Sequence, residues 1–218
     1  LILVEGRGQN QIAVVPGANS LLTPDCLHAL RGKRAWGEVL LAQLEIPLPT
    51  VERALKEARA SGALTLLNPA PAARLSPRLL RVVDFILPNE VEAELLTGEK
   101  IRSLREARRT CRRLLELGPR AAIITLGRRG VVYLSEEGEG SLAGHRVKAI
   151  DSTAAGDAFC GALAAALARG EGLREALAFA NAAAALSVTR EGAKPSIPRL
   201  SEVLSFLGRE GPSRLKTY

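Results

Sequence analysis

A chain of 218 residues, 47% hydrophobic and 24% charged, has the composition of an ordinary globular protein and is long enough to bury one sizeable core. Its formal charge of +7 rests on 30 basic residues, 24 of them Arg. These are scattered along helix faces, and with aromatics at 3% no stacking platform accompanies them, so nucleic acid is not the expected partner, while an anionic substrate stays compatible.

In chain order, LILVEGRGQNQIAVVPGAN sets two apolar runs around a polar turn and predicts a β-hairpin. LTPDCLHALRG predicts a short helix with Thr23 as N-cap and Pro24 at its first position. AWGEVLLAQLE predicts a strand ending at Glu45, and PTVERALKEARASG a helix stopped by Gly62. ALTLLNPAP and VVDFILPNE predict strands, the first running into a Pro-rich loop. NEVEAELLTG opens with Asn89 as a cap and closes at Gly98, and residues 103–118 form an amphipathic, Arg-rich helix. AAIITLG and GVVYLS are strands around GRRG. After DSTAAGD comes a helix to about Arg169, then one over 172–188, a TREGAKPSIP loop, and a last helix near 198–207.

Strands alternating with helices predict one α/β domain, a mostly parallel sheet with helices on both faces. The most apolar run, GALAAALA at 161–168, ends at Arg169 and is too short to cross a bilayer, and with no signal-peptide pattern visible at the start none is expected. Cys26, Cys111 and Cys160 have neither metal-ligand spacing nor an even count, which favours a reducing, cytoplasmic setting with the nucleus as the alternative. His28 and His145 stand alone and read as surface or structural residues. The chain has no Met and starts at Leu1 inside a strand-like run, so it is expected to be the later part of a longer protein.

Ligands of such sheets bind beyond the carboxyl ends of the strands. Glu45, Asn68, Asn89, Thr125 and Asp151 all fall at or just past predicted strand ends. In DSTAAGD, small residues enter a helix, and the amides of Ala154, Ala155 and Gly156 can attract an anion with help from the helix dipole. Asp157 has two readings of equal weight: a base that takes a proton from an attacking hydroxyl, or a first-turn carboxylate favoured by the dipole. Asn89 and Glu92, three apart, can hold hydrated Mg²⁺ near phosphates, but on their own they fit a capping box better. The Gly-flanked turn Thr125–Gly130 can receive a nucleotide, although a plain hairpin turn is commoner.

Together DSTAAGDAF, PNEVEAELLTG, TLGRRGVVYL and NAAAALSVTREGAKPSIP resemble the ribokinase-like carbohydrate kinases, in order and spacing, with Ala154 where many members have Gly. GQNQIAVVPGAN, QLEIPL and LNPAPA resemble the ribokinase branch more than the adenosine kinase or fructokinase branches. The similarity runs from residue 1 to about 207. It implies a Rossmann-like three-layer fold and an ATP-dependent sugar kinase with D-ribose as its sugar. Asp157 is then the general base toward the sugar's 5-hydroxyl, and the 154–156 amides form the anion hole. Asn89 and Glu92 serve the phosphates and Mg²⁺, Glu92 indirectly. Thr125, Gly127, Arg128, Arg129 and Gly130 line the nucleotide site, with Gly156 beside it and Asn181 near the adenine or ribose, and Glu45 contacts the sugar. Asp151 and Ser196, with the carbonyls of Thr153, Ser187, Arg190 and Gly192, hold an activating K⁺.

The resemblance departs at the start. The family's leading strand and its Gly-Gly-Lys-Gly-Ala-Asn-like sugar motif are not in the sequence, and the hairpin near 1–15 stands for the lid, which in ribokinases is also a dimer interface. The expectation is a single domain over 1–218, incomplete at its N-terminus, from a protein that dimerises when full-length. The alternatives are a kinase of another sugar or a nucleoside, or a non-catalytic nucleotide-binding module.

Overall fold

The structure is a computed structural model that describes residues 2–4, 10–12, 15–30 and 36–210. β1 (Ile2–Val4) and β2 (Asn10–Ile12) pair antiparallel with Ile2 opposite Ile12, so the predicted hairpin forms. Two 3₁₀ segments follow, Gly17–Leu21 and Pro24–Leu30, the second in place of the short helix expected there.

A six-stranded sheet holds the rest together, its strands in chain order: β3 (Val39–Ala42), β4 (Leu64–Leu67), β5 (Phe85–Ile86), β6 (Ala121–Thr125), β7 (Val131–Ser135) and β8 (Gly138–Leu142). β3 to β6 run parallel, and β7 and β8 turn back antiparallel. Parallel neighbours need crossovers, and these are helical: α1 (Leu48–Ala60), the one-turn α2 (Pro77–Leu80), then α3 (Glu90–Thr97) and α4 (Leu104–Glu116). α5 (Ala155–Ala168), α6 (Leu173–Ser187) and α7 (Leu200–Glu210) follow the last strand.

The strand sequences are apolar on both sides because both sides are covered. Leu66 and Ile123 join Phe159, Leu163 and Leu177 in one buried cluster beneath α5 and α6. Their neighbours Leu67, Ile86 and Ile124 point the other way, onto Leu55, Ala107 and Leu114 of α1 and α4. On α4, Ala107, Thr110, Cys111 and Leu114 are buried, while Arg109 and Arg112 face out to Glu99 (3.1 Å) and Glu139 (2.8 Å). The Arg-rich stretch is thus a solvated face laced by ion pairs. Burial of the Cys111 thiol pushes its pKa up to about 12, so it behaves as a small apolar side chain.

β8 is absent from the sequence reading because GEGSL carries turn residues. Gly140 is there for space: a Cβ would meet the Tyr133 hydroxyl on β7 at 2.7 Å. β3 ends at Ala42, three residues short of Glu45, because Leu44 turns away to donate its amide to the Ala70 carbonyl (2.8 Å). The third parallel strand is only two residues long, but the Leu87 amide reaches the Leu67 carbonyl (2.8 Å) and Asn89 bridges to Thr125, so the extended run continues to the start of α3.

Candidate functional site

Four parallel strands deliver their carboxyl ends to one edge of the sheet, and the N-terminus of α5 comes to the same edge. The cleft between them is lined by Asn68, Leu87, Asn89, Glu92 and Thr125 on the strand side and by residues 152–157 and Cys160 on the other. Asn68 follows β4 directly, and its side-chain amide braces the neighbouring strand end through the Leu87 carbonyl (2.8 Å). Asp151 differs from the other predicted strand-end residues: β8 stops at Leu142, and an extended loop over 143–150 carries the chain to it.

α5 begins without a side-chain cap. Its N-cap is Ala154 at φ 61°, the one non-glycine residue in the left-handed region among those described. That geometry costs an L-residue about 1–2 kcal/mol, and it turns the loop so that the first-turn amides face the cleft. Ala154→Gly is expected to stabilise the fold by about 0.5–1 kcal/mol, because the greater freedom of the unfolded glycine chain offsets part of the relieved strain. Urea unfolding of the two proteins checks it. Of the three predicted anion-hole amides, Ala155 makes a long internal bond to the Ser152 carbonyl (3.3 Å). Among the described residues the Gly156 amide has no backbone acceptor and points out of an open helix end, as first-turn amides do.

Asp157 is the third residue of α5, exposed at the cleft. Its carboxylate does not fold back on its own helix. Oδ1 accepts a 3.0 Å hydrogen bond from Nε2 of Gln43, which lies just past β3. The buried Cys160 thiol one turn further on is pushed up to about 12, by burial first and then by the charges of Asp157 and Glu92.

Asn89 and Glu92 form the capping box that their spacing allowed. The Glu92 amide donates to Asn89 Oδ1 (2.9 Å), and Glu92 takes the Asn89 amide on Oε2 (2.8 Å) and Asn89 Nδ2 on Oε1 (2.9 Å). Glu92 is 6% exposed, and burial raises its pKa against the pull of the Asn89 amide. The pair caps α3 and lines the cleft at once. Each Glu92 oxygen keeps a lone pair, so the hard oxygen donors fit a hydrated Mg²⁺ through water.

Asp151 ties two loops together. Oδ1 accepts the Thr153 amide (2.8 Å) and Oδ2 the Gly192 amide (2.9 Å), while the Ile150 and Asp151 amides both donate to the Val188 carbonyl (2.7 and 3.2 Å). The Ser187 and Ser196 hydroxyls are buried and donate to Ala184 (2.9 Å) and Ala193 (2.7 Å). The Arg190 side chain pairs with Glu202 on α7 (2.5 Å). The predicted cation ligands therefore sit on the loop at Asp151–Thr153 and on the end of α6 with the loop that follows it, which the Asp151 carboxylate joins, all oxygen donors with lone pairs remaining, which fits a hard monovalent cation. Hydrogen bonds from Thr153, then Gly192, hold the Asp151 pKa below its usual value of 3.8. A depressed carboxylate stabilises the fold above the unfolded pKa, and that contribution is lost as pH falls through the folded one. The Gly192 amide is accordingly expected to stay protected from hydrogen exchange down to pH 4 and to lose protection below the usual aspartate range of about 3.9. An amide-exchange series over pH 2–6 checks it.

The GRRG turn lies beyond β6 as a 3₁₀ segment, Gly127–Arg129. Gly130 (φ 93°) has no room for a side chain: a Cβ would meet the Leu142 carbonyl at 2.0 Å. Asn181 of α6 donates to the Ala143 carbonyl (2.9 Å) just past β8. Turn, strand end and Asn181 thus meet at one rim. Arg128 is exposed, whereas Arg129 is engaged with Glu90 and with the Arg102 carbonyl (3.3 Å). Glu45 is exposed in the bend after β3 and lies outside the cleft lining. Gln43 is not in the lining either, but it touches the cleft through its bond to Asp157 (3.0 Å), a contact that reading the strand through to Glu45 concealed.

The model of the pfkB family of carbohydrate kinases matches residues 1–200. A ribokinase of Haemophilus influenzae is 42% identical over 207 residues, covering 94% of this chain and 67% of its own. A deoxyribokinase of Salmonella typhi is 32% identical, covering 94% of this chain and 68% of its own. Among solved structures, Arabidopsis thaliana ribokinase complexed with ribose and ATP superposes with a TM-score of 0.82 at 28% identity, covering 94% of this chain and 67% of that one. The chain thus spans about two thirds of the length of these relatives. With the family match, the three-layer fold and the uncapped helix facing the strand ends all in agreement, the chain belongs to the pfkB family of carbohydrate kinases.

Proposed function

We propose that this chain carries the nucleotide-binding and catalytic part of an ATP-dependent kinase that phosphorylates the 5-hydroxyl of D-ribose. The observation that carries the reading is the first turn of α5: an uncapped helix end with Asp157 on its rim, opening on a cleft that also holds Asn89 and Glu92. The names of the relatives support the sugar.

Asp157 takes the proton of the 5-hydroxyl as its oxygen bonds to the terminal phosphorus of ATP, while the bond from that phosphorus to the bridging oxygen breaks and ADP leaves with the electron pair. The amides over Ala154–Gly156 and the α5 dipole face the charge on the transferring group. Thr125, the GRRG turn and Asn181 form the nucleotide wall, and Glu45, exposed past β3, serves a part of the sugar that extends beyond the cleft lining. Asn89 and Glu92 hold Mg²⁺ through water, and bound Mg²⁺ supplies charge neutralisation of the phosphates. Asp151 and Ser196, with the carbonyls of Thr153, Ser187, Arg190 and Gly192, hold K⁺ and so keep the anion-hole loop in place. Phosphoryl transfer leaves little covalent work to the protein, so positioning and charge dominate. The hairpin β1–β2 is the lid over the sugar and, in a homodimer, part of its interface.

The test is ATP turnover with Mg²⁺, in K⁺ or Na⁺, with D-ribose, 2-deoxy-D-ribose or no sugar. Ribose-dependent turnover that rises with K⁺ over Na⁺ upholds the reading. Preference for deoxyribose moves it to the activity in the Salmonella relative's name. ATP binding with no turnover leaves a nucleotide-binding module, and a flat response to K⁺ removes the cation site. Among the described residues no helix is long and apolar enough to cross a membrane.

A further inference from the structure

We propose that Gln43 is a positioning residue for Asp157: its side-chain amide fixes one carboxylate oxygen, so that the other faces the hydroxyl to be deprotonated. The inference rests on Asp157 being the base. Gln43 and Asp157 are 114 positions apart in sequence, yet Nε2 and Oδ1 stand at 3.0 Å. A carboxylate only accepts, so the contact also decides the amide's orientation, with its NH₂ toward Asp157. Gln43 is half-buried and anchored: it follows β3 directly, and the next amide, Leu44, is pinned to the Ala70 carbonyl (2.8 Å). Asp157 itself is exposed on a helix end with no capping partner, so this bond from the end of β3 is what limits its rotation.

The start of α3 is built differently. There the acid at the same helix position, Glu92, folds back onto its own N-cap amide (2.8 Å). Ala154 gives Asp157 no reciprocal cap, and the carboxylate is held from across the cleft instead. A tether on Oδ1 keeps Oδ2 toward the space where the hydroxyl must come, and it keeps the carboxylate from swinging onto the first-turn amides that the phosphoryl group needs.

Two variants test this, Gln43→Leu, which removes the donor, and the isosteric Gln43→Glu, which removes it without changing shape. Both are expected to melt with the parent. Turnover is expected to fall on the order of ten- to a hundred-fold, the scale of a small misplacement at a reacting group. In Gln43→Leu, KM for ATP and for the sugar should stay within about two-fold, because no substrate contact is lost and no charge is added. In an Asp157→Asn background neither variant should lower turnover further. Three-bond NMR couplings about Cα–Cβ of Asp157 give a readout independent of activity: one rotamer in the parent, averaging in both variants. Averaging already present in the parent, or a rotamer unchanged in the variants, overturns the proposal. So does an equal fall in the Asp157→Asn background, or a rise in sugar KM, which would make Gln43 a sugar contact. If the parent shows the fixed rotamer, the variants lose it and no protein turns over, the tether stands and the kinase reading fails.

Discussion

Asp157→Asn is expected to lower sugar-dependent ATP turnover by roughly 10²–10⁴-fold, the range typical of losing a positioned general base. ATP affinity is expected to stay near that of the parent. Asn keeps the size of Asp and an oxygen that can accept the Gln43 bond seen at 3.0 Å, so the cleft keeps its shape. What goes is the basic oxygen and one negative charge. Removing a charge beside the phosphates cannot weaken ATP binding by repulsion, which separates this variant from one that damages the nucleotide wall. The competing reading, an acid placed to suit the α5 dipole, predicts a different result. It gives a stability loss of about 0.3–1 kcal/mol and no more than a minor change in rate. Single-turnover kinetics, ATP titration and a urea melt on one preparation tell the two apart. Unchanged turnover with a lowered melt would return Asp157 to the helix-end role.

The parts of the fold that follow from hydrophobic pattern were readable. AAIITL and LTLL are apolar without alternation because Ile123 and Leu66 serve one core while Ile124 and Leu67 serve the other. The cap of α3 at Asn89 was readable from its sequence spacing, and α4 from its amphipathic pattern. What escaped was set by partners or by length and not by local pattern. GEGSL forms a strand because Val131–Ser135 offers it a ladder, and its own residues favour a turn. The one-turn α2 is too short to show a period. In the site, the motif over 151–157 could be read because small residues before a helix mark an anion-binding turn. Gln43 could not, because a lone glutamine at a strand end carries no pattern. Its meaning comes only from the packing of α5 across β3. Asn89 and Glu92 taught the reverse: capping and cleft-lining were posed as rivals, and the same two side chains do both.

A second such residue lies at the other end of the sheet and sets the largest expected stability effect. Asp84 is 5% exposed at the amino end of β5. Oδ2 accepts the Thr65 amide (2.9 Å) and lies 2.8 Å from the Thr65 hydroxyl, which is also 2.8 Å from the Val82 carbonyl. Oδ1 faces Arg59 (3.4 Å) and Arg120 (3.6 Å), both partly in solvent. One carboxylate thereby joins α1, β4, β5 and the start of β6. Asp84→Ala strands a fully buried amide and leaves two guanidinium groups without their shared anion. Because those two stay partly hydrated, the loss falls short of that for a sealed ion pair, and about 2–4 kcal/mol is expected. Asp84→Asn keeps one acceptor oxygen and should lose about half as much. Substrate turnover well below the melting point should not change, because the cleft lies at the strands' opposite ends. Denaturant unfolding of the three proteins, with turnover measured alongside, decides it. A loss under about 0.5 kcal/mol, the scale of an ordinary surface substitution, would mean that the parallel ladder holds β4 to β5 unaided.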